Sequence, residues 1–293
     1  MRTLIIKLGA AGDVVRTTTL MRTLPGEVTW ITAAKSVVLV EGVRDNLRVL
    51  SWEQREVARD RSYDLVVNLE DTLDVADFVK TVKHARLFGA YADAANNLTY
   101  SEDARRWFDL SLISRFGRVQ ADKLKYENRA SYQELIFEGL DLKFTGQKYY
   151  LPPPAKTGLS GDVAVAPVAG PVWPMKNWAY YEDLIAALKA RGLVVNVLPN
   201  RPTLLEHLGD VFNHRCLVGG DSLPMHFALG FGIPCVTIFN CTSPWEIFDY
   251  GIQRKLVSPL LGEFFYKRGF EVRATNAIPL QAVLDETLAA VNG

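Results

Sequence analysis

Short apolar runs punctuated by glycine and proline alternate along this chain with stretches whose apolar positions recur at helical spacing, which is the pattern of repeated βα units. Residues 4–8 read as a buried strand, 9–13 as a tight turn, and 14–24 as a helix presenting Val15, Leu20, Met21 and Leu24. Strands follow over 28–32 and 65–69, with helical spacing over 33–40. A helix over 75–85 leads into a short strand over 85–90. Residues 91–147 read as helix-rich, with apolar and charged positions interleaved most clearly over 110–116 and 131–140. A run of three prolines followed by glycines then marks an interdomain linker at 152–161.

A second series starts afresh beyond it. A strand is expected over 162–167, a loop over 168–177, a helix over 178–191, a strand over 193–198 and a helix over 203–212. A strand then enters Val218-Gly219-Gly220, a polar turn follows at Asp221-Ser222, and a short helix closes at Gly230 and Gly232 before a buried strand at 235–239. An amphipathic helix over 280–291 ends the series. The class is therefore α/β, with a first domain over 1–151 and a second over 162–293, whose final helix is free to pack back on the first. A cleft between two such domains is the default ligand site.

Two turns carry candidate chemistry. The first, Gly9-Ala10-Ala11-Gly12-Asp13, lacks the third glycine of a dinucleotide fingerprint, and no acidic residue closes a clear second strand about 20 residues on, so an NAD enzyme is disfavoured. The second, Asp221-Ser222, opens a helix whose unpaired N–H groups and dipole suit phosphates. Plain helix capping explains Asp221 and Asp13 equally well at this stage, and His226 reads as well as a sheet-packing histidine.

Composition narrows the classes. The chain has 293 residues, and its 33 basic and 33 acidic residues cancel, which argues against nucleic acid as a partner. Cys216, Cys235 and Cys241 are odd in number and strand-like in context, which speaks against a disulfide framework. The four histidines, His84, His207, His214 and His226, have no metal-ligand spacing, so no metal is expected. The amino-terminal apolar run is too short for a signal peptide, and no run reaches the 18 or so apolar residues of a membrane helix. The expectation is a cytoplasmic monomer, compatible with peripheral membrane contact.

Four blocks together resemble the family 9 glycosyltransferases, the ADP-heptose-dependent heptosyltransferases: Leu4 to Val14 with its Gly12-Asp13, Trp173-Pro174-Met175-Lys176-Asn177-Trp178, Pro202-Thr203-Leu204, and Gly220-Asp221-Ser222-Leu223-Pro224-Met225-His226 through Thr242-Ser243-Pro244. The resemblance implies the GT-B fold, two Rossmann-like α/β/α domains facing a central cleft. It also implies a metal-independent, cofactor-free inverting transfer of heptose from an ADP-sugar to a hydroxyl of a glycan or small-molecule acceptor, as in lipopolysaccharide or secondary-metabolite glycosylation. On that likeness Asp13 is the general base. Gly12, Lys176, Pro202, Thr203, Leu204, Asp221, Ser222, Leu223 and His226 bind the donor: Lys176 at the diphosphate, residues 202–204 at the adenine edge, and Asp221 at sugar hydroxyls.

The chain departs from the family at three places. Gly170-Pro171-Val172 stands where some relatives carry hydroxyl residues, Leu223-Pro224 follows the Asp-Ser pair where glycine is usual, and residues 199–202 run straight into the next helix where relatives insert a helix and a strand. These departures keep open a second class, a non-catalytic sugar-nucleotide or glycan binder with a decayed site. On the acceptor side, residues 1–150 hold 22 basic and 21 acidic residues. The acidic loop with Glu70 and Asp71 would suit a neutral or cationic acceptor, unless Arg105, Arg106, Arg115 and Arg118 form a basic patch instead.

Overall fold

The computed structural model describes every residue except Pro171, so the Pro171 part of the Gly170–Val172 departure lies outside the described residues. The chain divides into two compact units, Met1–Pro152 and Pro153–Gly293.

The first unit runs β1 (Arg2–Ile6), α1 (Ala11–Thr17), β2 (Glu27–Thr32), β3 (Leu47–Ser51), β4 (Ser62–Asn68), α2 (Leu73–Thr81), β5 (Lys83–Ala92), β6 (Leu98–Tyr100), α3 (Arg105–Phe108), α4 (Arg118–Glu127) and α5 (Tyr132–Gly139). Its sheet has the order β3-β2-β1-β4-β5-β6, parallel except for the antiparallel β6. Leu4, Ile6, Ile31 and Val66 project from one face onto Val75, Phe78 and Val79 of α2. With β1 flanked by β2 and β4, the chain reverses direction across the sheet between β1 and β4.

The second unit runs β7 (Gly161–Ala166), α6 (Tyr181–Lys189), β8 (Val195–Val197), α7 (Leu204–Phe212), β9 (His214–Gly220), α8 (Leu223–Phe231), β10 (Cys235–Phe239), β11 (Gln253–Val257), α9 (Leu261–Phe264), α10 (Val272–Thr275) and α11 (Leu280–Asn292). Its all-parallel sheet has the order β11-β10-β9-β7-β8, with the reversal between β7 and β9. Val163, Val165, Cys216, Val218, Val236 and Ile238 alternate onto α6 and α11, while α7 and α8 pack together and against β9. The terminal α11 seats Val283, Leu284 and Val291 in this core, a burial that stabilises by about 1.5–3 kcal/mol per side chain. The three cysteines are free and buried.

Several boundaries differ from the sequence pattern. The 14–24 helix becomes α1 followed by a 3-10 helix, Thr18–Arg22. The hydroxyls of Thr17, Thr18 and Thr19 bond back to the carbonyls of Asp13, Val15 and Arg16, and such back-bonding competes with regular helix geometry. Residues 33–40 hold a 3-10 helix, Ala34–Leu39, in place of an α-helix. Residues 83–85 belong to β5, and 110–116 form turns, not a helix. Between β8 and α7 there is neither helix nor strand.

The linker is shorter than its composition suggests. Tyr150 exchanges hydrogen bonds with Thr18, donating at 2.8 Å and accepting at 3.2 Å, and Arg22 lies over the Tyr150 ring. Ala155 donates to the Leu205 carbonyl, and Asn213 bonds Thr157 and Leu159. Each side is thus stitched to its own unit, leaving residues 151–154, with all three prolines, as the connection.

Candidate functional site

Ligands of open α/β sheets bind beyond the carboxyl ends of the strands where the strand order reverses. In the first unit the loops after β1 and β4 meet there. Glu70 Oε1 accepts from Lys7 Nζ at 2.8 Å and from the amides of Leu8 at 2.8 Å and Gly9 at 3.4 Å. Glu70, expected on the acceptor side, thereby latches the glycine turn, which includes a cis Gly9–Ala10 peptide. Asp71 beside it is half-buried.

Asp13 stands at the third position of α1, and the cap position is held by Ala10. Its Oδ1 meets the Arg16 guanidinium at 2.9 Å and its Oδ2 lies 3.9 Å from Lys7 Nζ. Burial would lower the Lys7 pKa, but the carboxylates of Asp13 and Glu70 outweigh it and hold the ammonium above its ordinary value. Gly12, read as donor-binding, is buried at the second position of α1 in this same unit. The four arginines offered as a basic patch are each paired with a carboxylate: Arg105 with Glu102 at 2.6 Å, Arg106 with Glu138, Arg115 with Asp109 at 3.1 Å, and Arg118 with Asp122 at 2.7 Å. As a patch they are largely neutralised.

In the second unit the loops after β7 and β9 meet at the reversal. Lys176 Nζ donates to the Asp221 carbonyl at 2.6 Å and lies 3.1 Å from its Oδ2. Side-chain exposures of 14% and 17% make this a pair sheltered from bulk water. The paired glycines ending β9 permit the approach. A Cβ on Gly220 would lie 3.3 Å from the Lys176 carbonyl, and one on Gly219 would lie 3.0 Å from the Ala166 Cβ.

Ser222 is the cap residue of α8, and Gly232 closes the helix in the left-handed conformation. Pro224 supplies no N–H, and the Met225 amide donates to the Ser222 carbonyl at 3.1 Å. The first-turn amides that can serve a phosphate are thereby narrowed to those of Ser222 and Leu223. His226 is 4% exposed within α8.

The segment 202–204 opens α7 at the same edge of the sheet. Thr203 forms a capping box with Glu206, its amide donating to Oε2 at 3.1 Å, and its carbonyl accepts from His207. Backbone recognition of an adenine edge would accordingly fall to the Pro202 carbonyl and the Leu204 amide.

Arg201 holds this segment through a two-pronged contact to fully buried Asp210, at 2.6 and 2.8 Å. Burial pushes the Asp210 pKa up, but the hydrogen bond from Arg201 outweighs it and the pKa falls below its ordinary 3.8. Below that pH the unfolded chain takes up the proton before the folded one, so stability present above pH 3.8 is lost as pH falls through the folded value. The melting temperature of wild type is expected to fall more steeply than that of Asp210→Asn as pH drops below about 4; parallel curves would count against it.

Sequence reasoning missed Arg16 as a partner of Asp13, and assigned no role to the loop after β10. That loop carries buried Asn240, Thr242 and Ser243, whose Oδ1, Oγ1 and Oγ have no hydrogen-bond partner among the described residues. Such oxygens are ordinarily met by water or ligand, and the block Thr242-Ser243-Pro244 was the available signal. Asn240 also donates to the Met175 carbonyl at 3.0 Å. Neighbouring Cys241 has its thiol pKa pushed up to about 11 by burial, with Lys176 opposing and Asp221 adding. Among the described residues no group of three or more His, Cys, Asp or Glu side chains could hold a metal ion, and no helix is long and apolar enough to cross a membrane.

No family model matches the chain, and no curated protein matches it. Solved structures do. The chain is similar to a family 9 glycosyltransferase from Veillonella parvula at TM-score 0.70 and 16% identity, covering 99% of this chain and 97% of that one. It is similar to the E. coli heptosyltransferase WaaC with ADP at TM-score 0.64 and 16% identity, covering 99% and 100%. To the E. coli ADP-heptose lipopolysaccharide heptosyltransferase II it is similar at TM-score 0.63 and 15% identity, covering 100% and 99%. At these identities the likeness concerns architecture, and in that respect the chain is heptosyltransferase-like, with the fold of the family 9 glycosyltransferases.

Proposed function

We propose that the chain is a metal-independent, inverting glycosyltransferase that moves a heptose or related sugar from an ADP-sugar to a hydroxyl of a glycan or small-molecule acceptor. The observation that carries this reading is the placing of a carboxylate with a cation at the strand-order reversal of each sheet, Asp13 with Lys7 and Arg16 in one unit and Asp221 with Lys176 in the other. Asp13 takes the acceptor's proton as that oxygen bonds to the anomeric carbon and the bond to the diphosphate breaks, releasing ADP. A positioned base supplies roughly 10²- to 10⁴-fold in rate for such a step. Lys176 and the amides of Ser222 and Leu223 meet the negative charge on the departing diphosphate, so that no metal or other cofactor is required. Asp221 orients sugar hydroxyls, and the Pro202–Leu204 segment reads the base. A neutral or cationic acceptor and action as a cytoplasmic monomer complete the reading.

The test is thermal shift against ADP-, UDP-, GDP- and dTDP-sugars. A ligand at 100 times its Kd stabilises by about 2.7 kcal/mol, a rise of several degrees for a protein of this size. ADP-heptose is expected to give the largest rise, and ADP release on adding an acceptor then follows. No shift with any of the four would overturn the reading. A second reading, a binder without turnover, draws on the narrowed amide set at Pro224 and Met225. It predicts the ADP-heptose shift with no ADP release under any acceptor.

A further inference from the structure

Asp13 and Arg16 are three residues apart on α1, a spacing that on an exposed helix gives a pair worth only about 0.3–0.5 kcal/mol. This one is not exposed. The Arg16 side chain is 8% exposed and its guanidinium carbon lies 3.9 Å from the centroid of the Tyr132 ring and 5.9 Å from that of Trp107. The two rings pack edge to face at 4.8 Å. Tyr132 is in turn fixed by a 2.7 Å contact to Thr17 Oγ1, whose own proton goes to the Asp13 carbonyl at 2.6 Å, so the tyrosine hydroxyl donates. A guanidinium withdrawn from water is costly to keep, and stacking on ring faces recovers part of that cost. Its charge meets the one carboxylate of α1, at 2.9 Å.

We infer that Arg16, seated on Tyr132 and Trp107, is a positioning residue that holds the Asp13 carboxylate in one orientation for proton transfer, an inference that rests on the base role proposed above. Arg16 touches neither donor nor acceptor in this role. The titratable and charged groups around Asp13 include Lys7 at the end of β1, Glu70 after β4, Arg16 on α1 and Tyr132 on α5. Lys7 is already engaged by Glu70 at 2.8 Å and lies 3.9 Å from Asp13, which leaves Arg16 as the close cationic contact among them.

The experiment compares Arg16→Gln, Arg16→Lys and Tyr132→Leu, reading ADP release from ADP-heptose across pH with water as acceptor, so that no acceptor need be known. Arg16→Gln is expected to lower plateau kcat by about 10- to 100-fold, as a slightly misplaced catalytic group does, with KM for ADP-heptose unchanged. Its ascending pH limb should move up by roughly one unit, since a cation is lost from beside the base. Arg16→Lys should restore the limb and only part of kcat, and it carries the test if Arg16→Gln does not fold. Tyr132→Leu should lower kcat without moving the limb. A purely structural residue would lower thermal stability and leave limb and plateau unchanged, and that result overturns the inference. Asp13→Asn is run alongside: if it stays active the base reading fails, whereas loss of its activity beside a wild-type profile for both Arg16 variants fails the positioning role alone.

Discussion

Asp13→Asn is expected to lose about 10²- to 10⁴-fold in kcat while binding an ADP-sugar as wild type does. The amide is nearly isosteric with the carboxylate and accepts no proton at neutral pH, so the loss isolates the chemistry from the shape of the site. The substitution also leaves Arg16 and Lys7 facing a neutral group. Breaking a fully buried ion pair costs about 3–5 kcal/mol. Here the cost should be smaller, because the Asp13 side chain is 33% exposed and Lys7 keeps Glu70 at 2.8 Å. A modest fall in melting temperature is therefore part of the expected result, and it must be separated from the fall in kcat. Donor affinity serves that purpose, since the expected donor residues Lys176 and Asp221 lie in the other compact unit. An Asp13→Asn variant that binds ADP-heptose normally and still melts cooperatively near the wild-type temperature is folded in both units. If it also retains more than about a tenth of wild-type turnover, Asp13 is not the base.

Sequence and structure agree where a segment is buried on both faces and disagree where it is not. Residues 4–6 and 235–239 lie inside their sheets, and their buried runs, apolar but for Thr237, announce a parallel strand. The edge strands β3 and β11 carry Arg48, Arg254 and Lys255 among few buried positions, so nothing in their pattern distinguishes them from loop. Helical spacing over 110–116 misled because local bonds win there. Ser111 accepts from the Ile113 amide and Ser114 from the Phe116 amide, which favours turns over a helix.

The candidate site divides in the same way. Asp13, Lys176 and Asp221 each lie in or beside a glycine- or proline-punctuated turn after a strand, but helix capping explains the two aspartates as well. The resemblance alone therefore singles them out for chemistry, and the structure adds the ion pairs they make. Arg16 was not legible, since a lone arginine on a helix reads as solvated, and only the approach of Tyr132 from more than a hundred residues away makes it otherwise. Glu70 carries a structural duty that its sequence context did not show. Its position in an acidic loop suggests an acceptor contact, and its Oε1 also accepts from Lys7 and two backbone amides. Thr203 illustrates the reverse case, because the Thr-x-x-Glu spacing of a capping box was present in the sequence and passed unread beside the adenine-edge role implied by resemblance.

Lys176→Ala is expected to weaken ADP binding, whereas Asp221→Asn is expected to leave it unchanged or strengthen it. Lys176 Nζ is shared between the carbonyl and the carboxylate of Asp221, so in the unliganded chain the aspartate holds the cation that a diphosphate would need. Removing the lysine deletes that cation and leaves the Asp221 carboxylate, 17% exposed, next to the incoming phosphates. A charge-assisted contact of this kind contributes about 1.5–3 kcal/mol, so ADP should bind Lys176→Ala roughly 10- to 100-fold more weakly. Asp221→Asn keeps the cation and removes the competing negative charge, so free ADP should bind as tightly as wild type or more tightly. The aspartate's proposed contact with sugar hydroxyls should appear only with the complete donor, as a loss of affinity for ADP-heptose relative to ADP. Calorimetry with both ligands on wild type and the two variants measures all of these differences. Were the pair merely a structural bridge, either substitution would lower the melting temperature and neither would alter ADP binding. Equal losses of ADP affinity in the two variants would also exclude the proposed division of labour, since an aspartate that restrains the lysine cannot at the same time be needed for the phosphates.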